Sequence, residues 1–228
     1  MERLYRGDFE KAYSTSDQVV VRSIGARAVK RAFDIFFGLL LLLVFAPLML
    51  ICALLIFLRD GSPIFFVHNR VGRHGQTFGC CKFRTMVRDS DEVLRKVLES
   101  DPERKAEWEA TQKLADDPRI LGAVGRFLRK MSFDELPQLF NVLRGEMSLV
   151  GPRPIVRDEL SRYGEGAAKY MSVRPGLTGA WQVGGRSSTT YEERVQIDMA
   201  YIDKWSLALD ISILVKTVKV VLGDKNAA

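Results

Sequence analysis

The chain has 228 residues, 47% of them hydrophobic, with a formal charge of +6 and a pI near 9.3. Such a length can bury one core and would equally accommodate one domain with an appendage; one domain is expected. The positive balance asks for an anionic partner, whether nucleic acid, phosphorylated small molecules or an anionic membrane face, and does not choose among them. Three cysteines, Cys52 within an apolar run and the adjacent Cys80 and Cys81, offer neither a disulfide framework nor metal-ligand spacing. Two histidines, His68 and His74, argue against a histidine-rich metal site or a Ser-His-Asp triad.

Residues 1–26 are polar and aperiodic and are expected to form a flexible arm. From Ile35 to Leu58 the sequence reads IFFGLLLLLVFAPLMLICALLIFL, a charge-free run long enough to cross a hydrocarbon core of about 30 Å as one helix. The polar stretch ahead of it, and the lack of a small-residue cleavage site after it, argue against a signal peptide. Arg27, Lys30 and Arg31 before the run, and Arg59, Arg70, Arg73, Lys82, Arg84 and Arg88 after it, make both flanks look cytoplasmic. Pro47 removes a helix hydrogen bond and clashes with the preceding turn, so a kink is expected there. Each half, about a dozen residues or roughly 17 Å, can enter one leaflet and return. The residues alone leave a kinked span and a re-entrant hairpin equally open.

After the run, SPIFFVHNRVG and QTFGCCKFRTM read as two short strands joined through a turn at Gly72 to Gly75. DSDEVLRKVLES and PERKAEWEATQKL read as two charged surface helices divided at Asp101-Pro102. VGRFLRKM and LPQLFNVLRG suit short amphipathic helices, the second stopped by Gly145. MSLVGPRP is expected to cross in extended form, with a helix near Ile155 to Arg162 and then an irregular glycine-rich stretch, RPGLTGAWQVGGRSS. Two helices close the chain, around Tyr191 to Lys204 and Leu207 to Leu222. In the last, Leu207, Ile211, Leu214, Val218 and Val221 share one face, either core or membrane surface.

The adjacent carboxylates of SFDELPQLF, Asp134 and Glu135, have a structural explanation: Ser132 and Glu135 match a capping box, with Asp134 as N-cap and Pro137 in the first helical turn. Their surroundings suggest chemistry instead. Arg126, Arg129 and Lys130 precede the pair, and Arg144 and Arg153 follow it, so the carboxylates are expected to stay ionised. Such a cluster can hold Mg²⁺, a diphosphate and a carboxylate nucleophile together. An internal ion-pair network is the alternative, and adjacent acids cannot flank a glycosidic bond from opposite sides. GPRP fixes the backbone around Arg153, KFRTM supplies Lys82 and Arg84, and RPGLTGAWQVGGR has glycines that let backbone approach a nucleotide, without forming a Walker loop. DSD at Asp89 to Asp91 could be the metal-binding acids of a glycosyltransferase, though a helix cap explains it as well; Asp116-Asp117 reads as a turn.

KRAFD at Lys30 to Asp34, before a Pro-broken apolar run, then KFRTM, LRKMSFDELPQLFNVLRGEMSLVGPRP and RPGLTGAWQVGGR, closely resemble the bacterial sugar transferase family, the monotopic polyprenyl-phosphate phosphoglycosyl transferases. The resemblance covers about Val29 to Leu222 and is greatest toward initiating hexose-phosphate transferases of exopolysaccharide synthesis. It implies an α+β fold: a mainly helical membrane-associated domain with a re-entrant Pro-broken hairpin, amphipathic interface helices and a small β-hairpin. The implied division is an arm (1–26), a re-entrant membrane helix (27–60) and a cytoplasmic catalytic domain (61–223). Where the family often has Ser-Pro at the membrane break, this chain has Ala46-Pro47.

The resemblance also implies transfer of a sugar-1-phosphate, galactose or glucose, from a UDP-sugar to undecaprenyl phosphate, with release of UMP and a requirement for Mg²⁺. Asp134 would be the nucleophile and, with Glu135, a metal ligand. Arg129 and Arg153 would lie near the phosphates, with Lys82, Arg84, Arg174, Gln182 and Arg186 as further substrate contacts. Expected partners are the UDP-sugar, undecaprenyl phosphate and the lipid bilayer, not nucleic acid; a homodimer is left open. The expected location is the bacterial inner membrane, with both termini on the cytoplasmic face. Rival readings are a metal-dependent glycosyltransferase that releases UDP through Asp89 and Asp91, and a non-catalytic basic membrane adaptor.

Overall fold

An apolar run with no charge between Ile35 and Leu58 favours an uninterrupted helix, and in the computed structural model α1 extends from Ile24 to Asp60 with Pro47 inside it. The structure describes residues 23–111, 113–184 and 189–223. The expected arm falls almost wholly outside them, and the helix begins three residues before the anticipated boundary. Most large side chains of the run stay exposed, Leu39, Leu43, Val44, Leu50, Leu54 and Leu58 among them. Among the described residues α1 is the one helix long and apolar enough to cross a membrane. It stops at Gly61, whose φ of +63° suits glycine and whose N–H donates to the Phe57 carbonyl at 2.8 Å.

The chain divides into two compact units, and the division cuts α1 between Phe45 and Ala46. One unit holds residues 23–45, 67–81 and 137–223, the other 46–66 and 82–136. The expected hairpin forms: β1 (Phe65–Val71) and β2 (Thr77–Phe83) pair as a two-stranded sheet around a turn in which His74 is left-handed at φ 59°.

In the second unit, α2 (Ser90–Ser100) and α3 (Pro102–Thr111) part where expected. Asp101 is extended, as the residue before proline prefers, and its carboxylate caps α3 by accepting from the amides of Glu103 and Arg104 at 3.0 and 3.1 Å. The turn at Asp117 contains a buried bidentate pair with Arg119. α4 (Gly122–Lys130) follows, with Arg129 and Lys130 in its last turn.

The first unit contains α5 (Gln138–Arg144), ended by Gly145 at φ 85°, and β3 (Ser148–Val150). The helix expected near Ile155 to Arg162 is a 3₁₀ segment, Arg157–Gly166, continued by α6 (Ala167–Met171). The stretch expected to be irregular contains β4 (Gly176–Thr178) and α7 (Ala180–Gly184). β4 pairs in parallel with β3, Ser148 opposite Gly176 and Val150 opposite Thr178. A Cβ on Gly176 would lie 2.1 Å from the Gly151 nitrogen, so this backbone approach requires glycine. Leu139, Val142, Met147, Leu149, Tyr201, Ile202 and Ile213 form the core beside these strands.

Finally come α8 (Tyr191–Asp203), with a capping box between Thr190 and Glu193, and α9 (Leu207–Gly223). The apolar stripe expected along α9, as either core or membrane surface, is divided: Leu214 packs half-buried against the core, while Ile211 and Val218 lie at the surface. Asp210 and Ile213 point inward, whereas Ile211, Val215 and Val218 are exposed.

Candidate active site

The capping explanation for Asp134 and Glu135 fails in the structure. Ser132 adopts a left-handed conformation, φ 56°, and makes no side-chain cap hydrogen bond; both acids lie in a 3₁₀ turn, Phe133–Glu135, and Pro137 occupies the N-cap position of α5. The turn follows directly from α4. The Ser132 N–H donates to the Arg129 carbonyl at 3.1 Å, and Phe133 packs edge-on against Phe127 at 5.9 Å. The last turn of a basic helix thus delivers two acids without giving either a capping task.

From the end of β2, Lys82 reaches this turn. Its ammonium donates to Glu135 Oε1 at 2.7 Å and lies 3.9 Å from Asp134 Oδ2, an ion-pair distance too long for a hydrogen bond. The side chains keep limited access to solvent, 14% for Asp134, 21% for Glu135 and 26% for Lys82. Arg129 donates from Nε to the Thr85 hydroxyl at 2.8 Å. Burial, and secondarily the neighbouring Glu135, push the Asp134 carboxyl up to about 6 against the opposing pull of Lys82 and Arg129. The carboxylate therefore still ionises below neutral pH, as expected, but its pKa is raised where the nearby cations alone would lower it. Desolvation outweighs attraction, and no helix starts at this residue. The result is a more basic, more nucleophilic carboxylate.

Among the described residues no group of three or more His, Cys, Asp or Glu side chains is placed to hold a metal. The adjacent carboxylates of Asp134 and Glu135 nevertheless suit an Mg²⁺ ion, which binds through one or two carboxylates and completes its shell with water and phosphate oxygens. A cation there would relieve the like-charge repulsion that raises Asp134. Asp89 and Asp91, the acids of the rival glycosyltransferase reading, are exposed at the start of α2, and Asp89 makes no side-chain cap hydrogen bond.

Of the other expected substrate contacts, Arg84 is turned elsewhere: it is 6% exposed and hydrogen-bonded to the end of α1. Arg153, Arg174 and Gln182 belong to the other unit. The Arg153 guanidinium lies 5.9 Å from the Trp181 ring centre, and Gln182 donates to the Leu177 carbonyl at 3.0 Å. Arg174 donates to the Gly145 carbonyl at 2.6 Å, at the end of α5. Arg186 lies outside the described residues.

Two features escaped the reading of the sequence. Thr85 is the partner of Arg129, a pairing across 44 residues with no local sign. The second is a buried network that begins at Lys30, whose ammonium donates to the Val150 carbonyl at 3.0 Å and pairs with Asp210 at 2.7 Å. Asp210 also accepts from Tyr201 and Trp205, while Asp34 accepts from Ser148 and the Leu149 amide. A lone acid in the apolar α9 was the available signal.

The bacterial sugar transferase profile matches residues 25–224. An undecaprenyl-phosphate galactose phosphotransferase of Salmonella typhimurium is 54% identical over 89% of this chain and 42% of its own length. The exopolysaccharide production protein ExoY of Rhizobium meliloti is 49% identical over 91% of both chains. An undecaprenyl-phosphate glucose phosphotransferase of Komagataeibacter xylinus is 40% identical over 87% of this chain and 36% of its own. The chain therefore spans about two fifths of the length of the galactose relative and nearly all of ExoY. Matched from the start of α1 to the end of α9, the chain belongs to the bacterial sugar transferase family.

Proposed function

We propose that this chain transfers hexose-1-phosphate, galactose or glucose, from a UDP-sugar to undecaprenyl phosphate, as the first membrane step of exopolysaccharide or glycoconjugate synthesis. The observation that carries the reading is the Asp134 carboxylate, only 14% exposed and raised in pKa, held beside Glu135 and Lys82. An Asp134 oxygen attacks the sugar-bearing phosphorus, and the bond from that phosphorus to the bridging oxygen breaks with release of UMP. An oxygen of undecaprenyl phosphate then attacks the same phosphorus and frees the aspartate. Splitting one displacement into two is the purpose of a covalent nucleophile. Lys82 and Arg129 place positive charge beside the carboxylate, where a transferring phosphoryl group develops negative charge. Asp134 and Glu135 would hold Mg²⁺, which when bound neutralises phosphate charge.

Membrane attachment fits the acceptor, whose phosphate is confined to the headgroup plane. α1 has an exposed apolar surface along its run, and the division of the chain falls within it between Phe45 and Ala46, next to Pro47. We read it as a re-entrant helix (27–60) between an arm (1–26) and a catalytic domain (61–223), at the cytoplasmic face of the bacterial inner membrane. Tags at both chain ends should report that face, and opposite sides would mean a full span.

The chemical test uses the full chain in lipid nanodiscs with a panel of UDP-sugars and no acceptor. Intact mass should show a phosphohexose adduct that maps to Asp134, with stoichiometric UMP and dependence on Mg²⁺. Release of UDP would move the protein to the metal-dependent glycosyltransferase class, and an adduct elsewhere would remove Asp134 as nucleophile.

A further inference from the structure

The family resemblance implies that Arg84, in the KFRTM motif with Lys82, is a substrate contact. Most of its N–H donors are already engaged. Nε donates to the Pro63 carbonyl at 2.6 Å, Nη2 to the carbonyls of Asp60 and Gly61 at 3.2 and 2.8 Å, and Nη1 to the Asp60 carboxylate. These carbonyls stand at and just past the end of α1, where a helix leaves its last C=O groups without intrahelical partners. The Arg84 amide donates to the Ile64 carbonyl at 2.8 Å, and Phe83 stacks on Phe65 at 5.4 Å, so side chain and backbone hold the same segment. Arg88 adds an exposed contact from Nε to the Asp60 carbonyl at 3.1 Å.

We infer that Arg84 is a positioning residue: it clasps the end of the apolar helix to the strand end from which Lys82 reaches Asp134 and Glu135 and Thr85 receives Arg129. Its five N–H groups form a fork that satisfies several carbonyls at once, a task that lysine, with a single ammonium, cannot copy. Of those five donors, four are used in the clasp. A phosphate that recruited Arg84 would have to break four hydrogen bonds at and just past the end of α1.

The clasp gives a membrane-embedded helix a rigid link to the residues around the proposed nucleophile. Under the proposed function, on which this part of the inference rests, the donor arrives from water and only the acceptor is confined to the lipid plane. Loosening the clasp therefore disturbs use of the lipid phosphate while leaving the donor's contacts in place. Asp60 becomes a member of the same device although it touches no substrate.

The test compares Arg84→Gln and Asp60→Asn with the wild-type chain in nanodiscs. Amide hydrogen exchange at residues 57–61 needs no turnover, and both variants should accelerate it, Arg84→Gln more than Asp60→Asn. In steady state, kcat/KM for undecaprenyl phosphate should fall about 10- to 100-fold in Arg84→Gln, the scale of a small displacement of reacting groups, with a smaller fall in Asp60→Asn. UDP affinity, measured by calorimetry, should stay within about twofold of wild type, less than one good charged contact contributes. Unchanged exchange at residues 57–61 would overturn the clasp. So would a loss of UDP affinity confined to Arg84→Gln, the mark of a direct phosphate ligand. If the wild-type chain turned over no UDP-sugar, the proposed function would fail while the exchange result still decided the clasp. Should Arg84→Gln not fold, Asp60→Asn carries the same comparison.

Discussion

Two lysine–carboxylate clusters, one in each unit, show how similar groups become scaffold or chemistry. At Lys30 the ammonium and the Asp210 carboxylate meet at 2.7 Å, and Asp210 is fully buried with Tyr201 and Trp205 donating to its oxygens. At Lys82 the strong contact goes to Glu135, and Asp134 is left at 3.9 Å with some exposure and a raised affinity for protons. A carboxylate whose lone pairs are saturated by donors is a poor nucleophile. One that is desolvated and not hydrogen-bonded by its lysine can attack.

The largest effect should come from removing the reactive member. Asp134→Asn is expected to lower UMP release by about 10³-fold or more, the scale of losing a nucleophile, with the thermal midpoint little changed. Lys30→Met should do the opposite. It strands two buried carboxylates and should destabilise the protein by about 3–5 kcal/mol, seen as a lower unfolding midpoint or loss of the folded chain. If Lys30→Met kept its midpoint and lost activity, the contrast between the clusters would be wrong. Glu135→Gln should be milder: Lys82 loses the closer of its two charged partners, and turnover should fall about 10- to 100-fold while the adduct still forms on Asp134.

A third carboxylate sharpens the comparison by titration. Asp198 is buried beside Tyr163 and Arg194, and burial lifts its pKa to about 6 from an ordinary 3.8. Because the folded form holds the proton more tightly, this group's destabilising effect is full above pH 6 and fades as pH falls toward 4. Asp198→Asn should therefore gain unfolding midpoint relative to wild type at pH 8 and lose that advantage at pH 5. A difference that did not vary with pH would mean that Asp198 stays ionised throughout.

Much of the fold was legible because its signals are local. A charge-free run makes α1, Asp101-Pro102 parts α2 from α3, and Gly145 stops α5. The glycine-rich stretch misled because Gly176 looks like a loop residue in isolation, whereas it admits the close approach of Gly151 that the parallel β3–β4 pairing needs. Spacing along α9 groups its apolar residues on one face and cannot say that Asp210 faces inward to meet Lys30. At the site, Asp134, Glu135, Lys82 and Arg129 were visible as motif residues, while the clasp of Arg84 and the Thr85 partner of Arg129 were not.

What the residues determine by themselves is chemistry in order along the chain: an apolar helix with basic flanks, a paired acid after a basic helix, and arginines set between prolines and glycines. Whether a given charge reacts, caps or braces was decided only by tertiary structure. Desolvation and hydrogen-bond geometry depend on groups far apart in sequence, as in the 53 residues that separate Lys82 from Glu135.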